Sequence, residues 1–386
     1  TIARQFREDG YDVVEHKDDA DIYVINSCVV TANAEKKCRA AIRQARTRNP
    51  DAIVAVVGCF SQMAEEGLVK MPEIDLVLGT EEKFSLKDYL KDGTHKGACH
   101  SYVGEIGKSE VFTPSWSSGD RTRSFLKIQD GCDYFCTYCT IPFARGRSRS
   151  ATIADTMKIA HEVASTDMRE IILTGVNIGD FGKPNGENFF DLVKELDTLE
   201  GIDRIRISSI EPELLTEEMI LFMAESKKFL PHYHIPLQSG SDHVLSLMKR
   251  KYKRDVFAQR VIEIKNIMPH ACLAADVIIG FPGETEQEFK STYDFIDGLD
   301  ISYMHVFTYS ERPGTNAAKL DGKVDNKEKR ERSRILHELS DEKKRKFYES
   351  NIGSKRNVLF ESDNSGGFMH GFTGNYLKVK TRYDAT

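Results

Sequence analysis

Three cysteines, Cys132, Cys136 and Cys139, are packed into the stretch DGCDYFCTYC at 130–139, with no fourth close behind. Four thiolates in tetrahedral array would point to structural zinc, which usually shows two C-x2-C pairs, and the second pair is absent. Iron–sulfur cubanes also take cysteine thiolates, usually four. A loop offering three leaves one iron without a protein ligand, and an open iron can bind a substrate. Two further cysteines stand in matching places: Cys28 ends DIYVINSC and Cys59 ends AIVAVVGC. Both follow apolar runs that read as strands. In open α/β sheets ligands bind beyond the carboxyl ends of the strands, so the pair is expected to meet in space. A free cysteine is often simply buried. The polar or turn-forming sequence after each, SCVVTAN and GCFSQ, favours a ligand role.

The elements that must position these residues are legible as α/β. Strand, helix, strand over 21–59 predicts a parallel, Rossmann-like unit, expected to begin with a strand ahead of Thr1. From about Arg121, six apolar strands recur: FLKIQDGC, EIILTGVN, RIRISSIEP, HYHIPLQSG, LAADVIIGFPGE and ISYMHVFTYSERPG. Each is followed by a helical stretch or a long polar return, which predicts an open (β/α)6 partial barrel with its chemistry at the carboxyl ends of the strands. The charged stretch NKEKRERSRILHELSDEKKRKFYES reads as a helix linking to a last small domain. RNVLFES and HGFTGNYLKVKTRYD read as β-hairpins.

Composition bounds the class. The chain has 386 residues, 40% apolar and 30% charged, with net charge −6 and eight cysteines. That describes a folded protein of two or three domains and argues against a protein that coats nucleic acid. A polar start and the lack of about 18 consecutive apolar residues predict neither signal peptide nor membrane span. A cytoplasmic setting is expected, where cysteines are ligands, catalysts or core residues more often than disulfides. Two basic runs, RGRSRS at 145–150 and KRKYKR at 249–254, follow strand-end motifs and are expected on the barrel rim, where RNA phosphates would pass. His232 and His234 face one side of a strand and read as barrel-lining residues near substrate in preference to metal ligands. Cys99 and Cys272 read as structural.

The Cx3Cx2C loop, with Tyr138 before its last cysteine, resembles that of the radical S-adenosylmethionine (SAM) enzymes. INSC, VVGC, IPFARGRSRS, LTGVNIG, RISSIEP, HIPLQSGSD, VIIGFPGE and YSERPGT, in that order, resemble the methylthiotransferases among them. KIQDGC, RISSIEP and HIPLQSGSDHVLSLMKRKY are most similar to the branch acting on threonylcarbamoyladenosine (t6A) at position 37 of tRNA. The branches acting on isopentenyladenosine (i6A) and on a ribosomal-protein aspartate resemble the chain less.

The resemblance implies an N-terminal methylthiotransferase domain over 1–112, a radical SAM domain over 113–350, and an incomplete TRAM-like RNA-binding β-barrel over 351–386. It implies two [4Fe–4S] clusters: one on Cys132, Cys136 and Cys139 that binds SAM and generates a 5′-deoxyadenosyl radical, and an auxiliary one with Cys28 and Cys59 as two of three ligands. A second SAM supplies the methyl group. The aromatic C2–H of the target has no acidic proton, so the cofactor must carry the hard step. The third auxiliary ligand of the family has no counterpart here, and Cys38 reads as a helix-face residue. By the same resemblance Thr174 and Gly175 lie near the methionyl end of SAM, Asn177 also binds SAM, and Ser208, Glu211, Gln238 and Ile279 line the pocket around its ribose and adenine. Tyr138 would contact the adenine. Partners implied are a tRNA anticodon loop and an electron donor such as flavodoxin or ferredoxin. Outside the enzymes, a zinc-stabilised RNA-binding module is the competing reading, removed by iron and acid-labile sulfide in a brown anaerobic preparation.

Overall fold

The computed structural model describes residues 2–91, 98–117, 122–361 and 364–383. The chain forms two compact units, and the cut does not follow sequence order. The first holds Thr1–Val111, Gly131–Arg147 and Ser310–Ala318; the second holds Phe112–Asp130, Ser148–Tyr309 and Lys319–Thr386.

In the first unit, strands β1 (Ile22–Ser27), β2 (Ile53–Gly58), β3 (Leu76–Leu78) and β4 (His100–Tyr102) lie side by side in that order, all parallel. Near-continuous apolar runs such as IVAVVG suit a parallel sheet covered on both faces. Successive residues of β2 serve the two faces in turn. Val54 and Val56 pack with Ile42 and Ala45 of α2 (Ala32–Arg48) and with Phe60 and Leu68 of α3 (Cys59–Val69). Ala55 and Val57 pack with Phe6 of α1 (Ile2–Glu8) and Leu86 of α4 (Leu86–Lys91). A short helix, α5 (Ile141–Arg145), ends the cysteine loop.

In the second unit, β5 (Ser115–Trp116) pairs antiparallel with β6 (Arg123–Lys127). A two-stranded ribbon joins β7 (Gln129–Asp130) to β8 (Arg149–Ser150). Strands β9 (Glu170–Thr174) and β10 (Arg204–Ile207) continue from β6 as parallel neighbours. β11 (His232–Gln238), β12 (Cys272–Ile279) and β13 (Tyr303–Thr308) form a second parallel set. Backbone bonds from Ile205 N to Lys228 O and from Leu230 N to Ile205 O join the two sets. Six parallel strands therefore form one arc, and among the described residues no ladder pairs β13 back to the β5 edge.

Helices α6 (Ile153–Ala164), α7 (Phe189–Thr198), α8 (Glu217–Glu225), α9 (Asp242–Leu247), α10 (Arg254–Ile267), α11 (Glu286–Asp297) and α12 (Asn326–Glu349) fill the returns. Six of the seven start on a Thr, Asn, Ser or Asp whose side chain accepts from a first-turn N–H: Thr152, Asn188, Thr216, Ser241, Thr285 and Asp325. These caps fix where each strand-end loop stops.

Two sequence expectations change. α12 is not a free linker: Leu336 and Leu339 are buried in the strand–helix core, and Ser340 Oγ bonds both the N–H (2.9 Å) and the carbonyl (3.1 Å) of Met304. Its charged composition hid a narrow apolar stripe. The C-terminal segment forms an antiparallel sheet of β14 (Val358–Phe360), β15 (Phe368–Thr373) and β16 (Lys378–Arg382), not a closed barrel. It is stitched to the amino ends of the barrel strands: Arg204 donates to the carbonyls of Phe372 and Thr373, and Tyr376 stacks on His232 with ring centroids 4.4 Å apart. Beneath them Glu170, fully buried, is shared by Arg204 and Arg206 at 2.8 and 3.0 Å.

Candidate functional site

The cysteine loop belongs to the first unit, the excursion 131–147 between β7 and β8. It has little regular structure, yet its backbone is pinned. Gly131 has φ +72°, and a Cβ there would sit 1.8 Å from Arg147 O. Only glycine tolerates both the left-handed backbone and that approach. Cys132 N–H donates to Gly146 O at 3.1 Å, Cys139 N–H to Cys136 O at 3.0 Å, and Ala317 N–H to Thr137 O at 2.8 Å. Phe135 takes a left-handed φ of +50°, uncommon without glycine, and holds the turn between the first two cysteines, with Arg147 over its ring and Phe143 at its edge. Cys136 is buried, whereas Cys132 and Cys139 are half-buried, as is Tyr138. One tetrahedral zinc would draw thiolates to about 3.8 Å of one another, from a Zn–S bond of about 2.3 Å. Among the described residues no three cysteine sulfurs gather within 4.8 Å.

Cys28 and Cys59 each follow the end of a strand, β1 and β2, which are parallel neighbours. The β1–β2 register pairs Ser27 with Gly58, so each cysteine is the first residue past its strand end. Ser27 Oγ donates to Val57 O at 2.6 Å and accepts from the N–H groups of Phe60 and Ser61 at 3.2 and 3.4 Å. That one hydroxyl ties the end of β1 to the start of α3, whose first residue is Cys59. Gly58 makes the turn with φ +100°, where a Cβ would press on Asn26 Oδ1 at 2.8 Å. Cys28 is exposed and Cys59 buried, and Arg145 Nε donates to Cys59 Sγ at 3.3 Å. Cys38, inside α2, is packed in the core, and burial pushes its thiol up to about 11. Cys272 is buried and likewise raised to about 11, and Cys99 is half-buried against the sheet core.

In the second unit, the turn after β9 is organised by Gln129, which sequence reasoning missed. Its side chain is fully buried: Oε1 accepts from Val176 N–H (2.9 Å) and Asn177 N–H (2.8 Å), and Nε2 donates to Ser148 Oγ (2.9 Å). A Cβ on Gly175 would meet Gln129 Oε1 at 3.0 Å, so the GVN turn is set by this amide. Thr174 closes the same turn, accepting from Ile128 N–H at 2.9 Å. Asn177 is buried, its Nδ2 on Asp180 and its Oδ1 without a hydrogen-bond partner among the described residues. Gln238 sits at a register shift in β11 with φ +64°, its buried Oε1 likewise unpartnered. Tyr252 Oη braces that bulge by donating to the carbonyls of Pro236 (2.5 Å) and Leu237 (3.0 Å). Ser208 N–H donates to Leu173 O (3.1 Å), and Ile279, fully buried, accepts from Tyr309 N–H at 2.9 Å. Glu211 is ion-paired with Arg250, yet burial pushes its carboxyl up to about 7.

The basic runs are mostly structural. In 145–150 only Arg147 is exposed: Arg145 reaches Cys59 and Arg149 is buried. In 249–254, Arg250 pairs with Glu211, Tyr252 braces β11, and Arg254 bonds Gly240 O and Ser291 Oγ at 3.3 and 3.1 Å. Lys249, Lys251 and Lys253 alternate outward and are exposed. Sequence counted the charges but not which guanidiniums the fold consumes.

Residues 126–296 match the radical SAM superfamily, and residues 1–79 match the uncharacterized protein family UPF0004. The chain is 39% identical to the threonylcarbamoyladenosine tRNA methylthiotransferase MtaB of Aquifex aeolicus, over 98% of this chain and 92% of that one. The chain belongs to the radical SAM methylthiotransferase family. Members of the superfamily use a [4Fe–4S] cluster and SAM. The chain is also similar, at 34% identity over 94% of its length and 83% of the relative's, to the tRNA-2-methylthio-N(6)-dimethylallyladenosine synthase of Clostridium tetani. Its fold is similar to the radical SAM methyltransferase TsrM of Kitasatospora setae (TM-score 0.55, 15% identity, 82% of this chain and 67% of that one). No helix among the described residues is long and apolar enough to cross a membrane.

Proposed function

We infer that this protein converts t6A at position 37 of tRNA to its 2-methylthio form in the cytoplasm, drawing electrons from a flavodoxin- or ferredoxin-like donor. The observation that carries the reading is 39% identity over 98% of the chain to a threonylcarbamoyladenosine tRNA methylthiotransferase, against 34% over 94% to a dimethylallyladenosine synthase. Cys132, Cys136 and Cys139 are assigned to the cluster that binds SAM, and Cys28 and Cys59 to a second, sulfur-supplying cluster. With both in place the cofactors supply a radical that takes hydrogen from C2 and a methylthio group that replaces it.

The protein's share is placement. The cysteine loop is held by Gly131, Phe135 and the bond from Ala317, so its backbone is set for three neighbouring cysteines. The unpartnered acceptors Asn177 Oδ1 and Gln238 Oε1 fit the donors SAM carries, its ammonium and ribose hydroxyls, since a buried acceptor left unpaired costs about 1–3 kcal/mol. Thr174, Gly175, Ser208, Glu211 and Ile279 are the strand-end surroundings, and Tyr138 is assigned to the adenine. The domains we assign are 1–112, 113–350 and a TRAM-like 351–386, with the C-terminal sheet and the exposed lysines of 249–254 as RNA contacts. The test is anaerobic turnover of full-length, reconstituted protein with SAM, reductant and tRNA bearing either t6A or i6A, followed by mass spectrometry of the nucleosides. Methylthio product from t6A alone is expected; product from i6A alone overturns the substrate, and product from neither, with SAM cleaved, overturns tRNA as the substrate.

A further inference from the structure

Three side chains on neighbouring strands of the second unit converge without any part in the reading above. His234 of β11, Asp276 of β12 and His305 of β13 bring one donor atom each within 4.8 Å of the other two. His234 Nε2 and Asp276 Oδ1 lie 2.8 Å apart, and Asp276 is the register partner of His305. The three share one face. Leu273, Ala275, Val277 and Ile279 of β12 pack in the core with the helices, so the intervening Ala274 and Asp276 take the opposite face. Beneath lie Cys272, Tyr303 and the Tyr376 ring, with Tyr303 edge-on to His305 at 5.4 Å. His305 has no hydrogen bond to any protein group among the described residues, so its imidazole is uncommitted.

We propose that His234, Asp276 and His305 form a site for a divalent first-row transition-metal ion, separate from both cysteine sets. Two imidazoles and one carboxylate are the donors such ions take, at about 2.0–2.2 Å, and three protein ligands leave positions open for water or an oxygen-bearing ligand. Rotation about the exposed His305 side chain closes the remaining separation. Without an ion, the His234–Asp276 hydrogen bond satisfies two of the three groups, which is why the cluster is tolerated empty.

The test uses anaerobic, fully reconstituted protein with its clusters in the EPR-silent oxidised state, dialysed against Co2+, with bound cobalt counted and its high-spin EPR signal recorded. Thiolate-bound cobalt is common to all variants, so the difference between them isolates the site. Wild type is expected to retain one more Co2+ per chain than His305→Ala, and Asp276→Asn to weaken that ion at least the ~100-fold at the upper end of what losing a mere outer-shell partner costs. His305 is exposed, so its variant folds, and cluster iron content checks this. Equal cobalt content and affinity in wild type and both variants overturns the proposal, as does the absence of any cobalt with nitrogen coupling in wild type. None of these readouts depends on methylthio transfer.

Discussion

Two cysteine-bearing regions of the first unit hold their cysteines in place by different means. The loop at 131–147 uses no sheet: a glycine under a carbonyl, a left-handed phenylalanine and a few backbone bonds set Cys132, Cys136 and Cys139. The pair Cys28 and Cys59 is set by parallel register, with one serine hydroxyl and one left-handed glycine joining strand to helix. A loop concentrates its ligands in sequence and relies on local strain. A sheet scatters its ligands by 30 residues and relies on topology. The first is brittle at one or two backbone positions, and the second is vulnerable wherever its strand-to-helix turn is loosened.

The difference can be broken experimentally. Gly131→Ala places a Cβ 1.8 Å from Arg147 O, and the loop must move. At least a ~100-fold drop in 5′-deoxyadenosine formation is expected, about 3 kcal/mol on the rate, with loss of loop-bound iron. Cys136→Ala is expected to abolish SAM cleavage in the same assay. Gly58→Ala strains φ +100° and crowds Asn26, at a cost of about 1–3 kcal/mol, read as a lowered thermal midpoint with SAM cleavage retained. Ser27→Ala removes the acceptor for Phe60 and Ser61 and is expected to cost about 1–2 kcal/mol by denaturant titration.

The mildest probe sharpens the comparison by asking which cysteines are available. Cys38 lies between Cys28 and Cys59 in sequence, yet burial raises its thiol to about 11. A raised thiol pKa means the reactive thiolate is scarce below it. At pH 8 about one Cys38 in a thousand is ionised, three pH units below the midpoint. In protein before cluster assembly, iodoacetamide at pH 8 is expected to label the exposed Cys28 and spare Cys38, with mass spectrometry of peptides as the readout.

How much of this the residues disclose follows from the same contrast. The loop was legible because its spacing is itself the signal. The parallel pairing of the strands that end just before Cys28 and Cys59 was legible in the apolar runs. Partners that act through the fold were not. Gln129 looks like any polar residue in KIQDGC until Val176 and Asn177 fold back on it. Arg145, Arg149, Arg250 and Arg254 read as a phosphate-binding surface until their burial and partners are seen. α12 read as a linker because its buried Leu336 and Leu339 are outnumbered by charges. His234 was noticed beside His232, but its partners come from strands about 40 and 70 residues away, a distance no local spacing encodes.

The central claim is that the two cysteine sets do separate work, the loop in SAM cleavage and the strand-end pair in sulfur delivery. The most direct measurement is Cys59→Ala, reconstituted anaerobically and given SAM, reductant and t6A-bearing tRNA, with 5′-deoxyadenosine and methylthio nucleoside quantified in one reaction. The account predicts 5′-deoxyadenosine at a rate near wild type and no methylthio product. Methylthio product from this variant would contradict it.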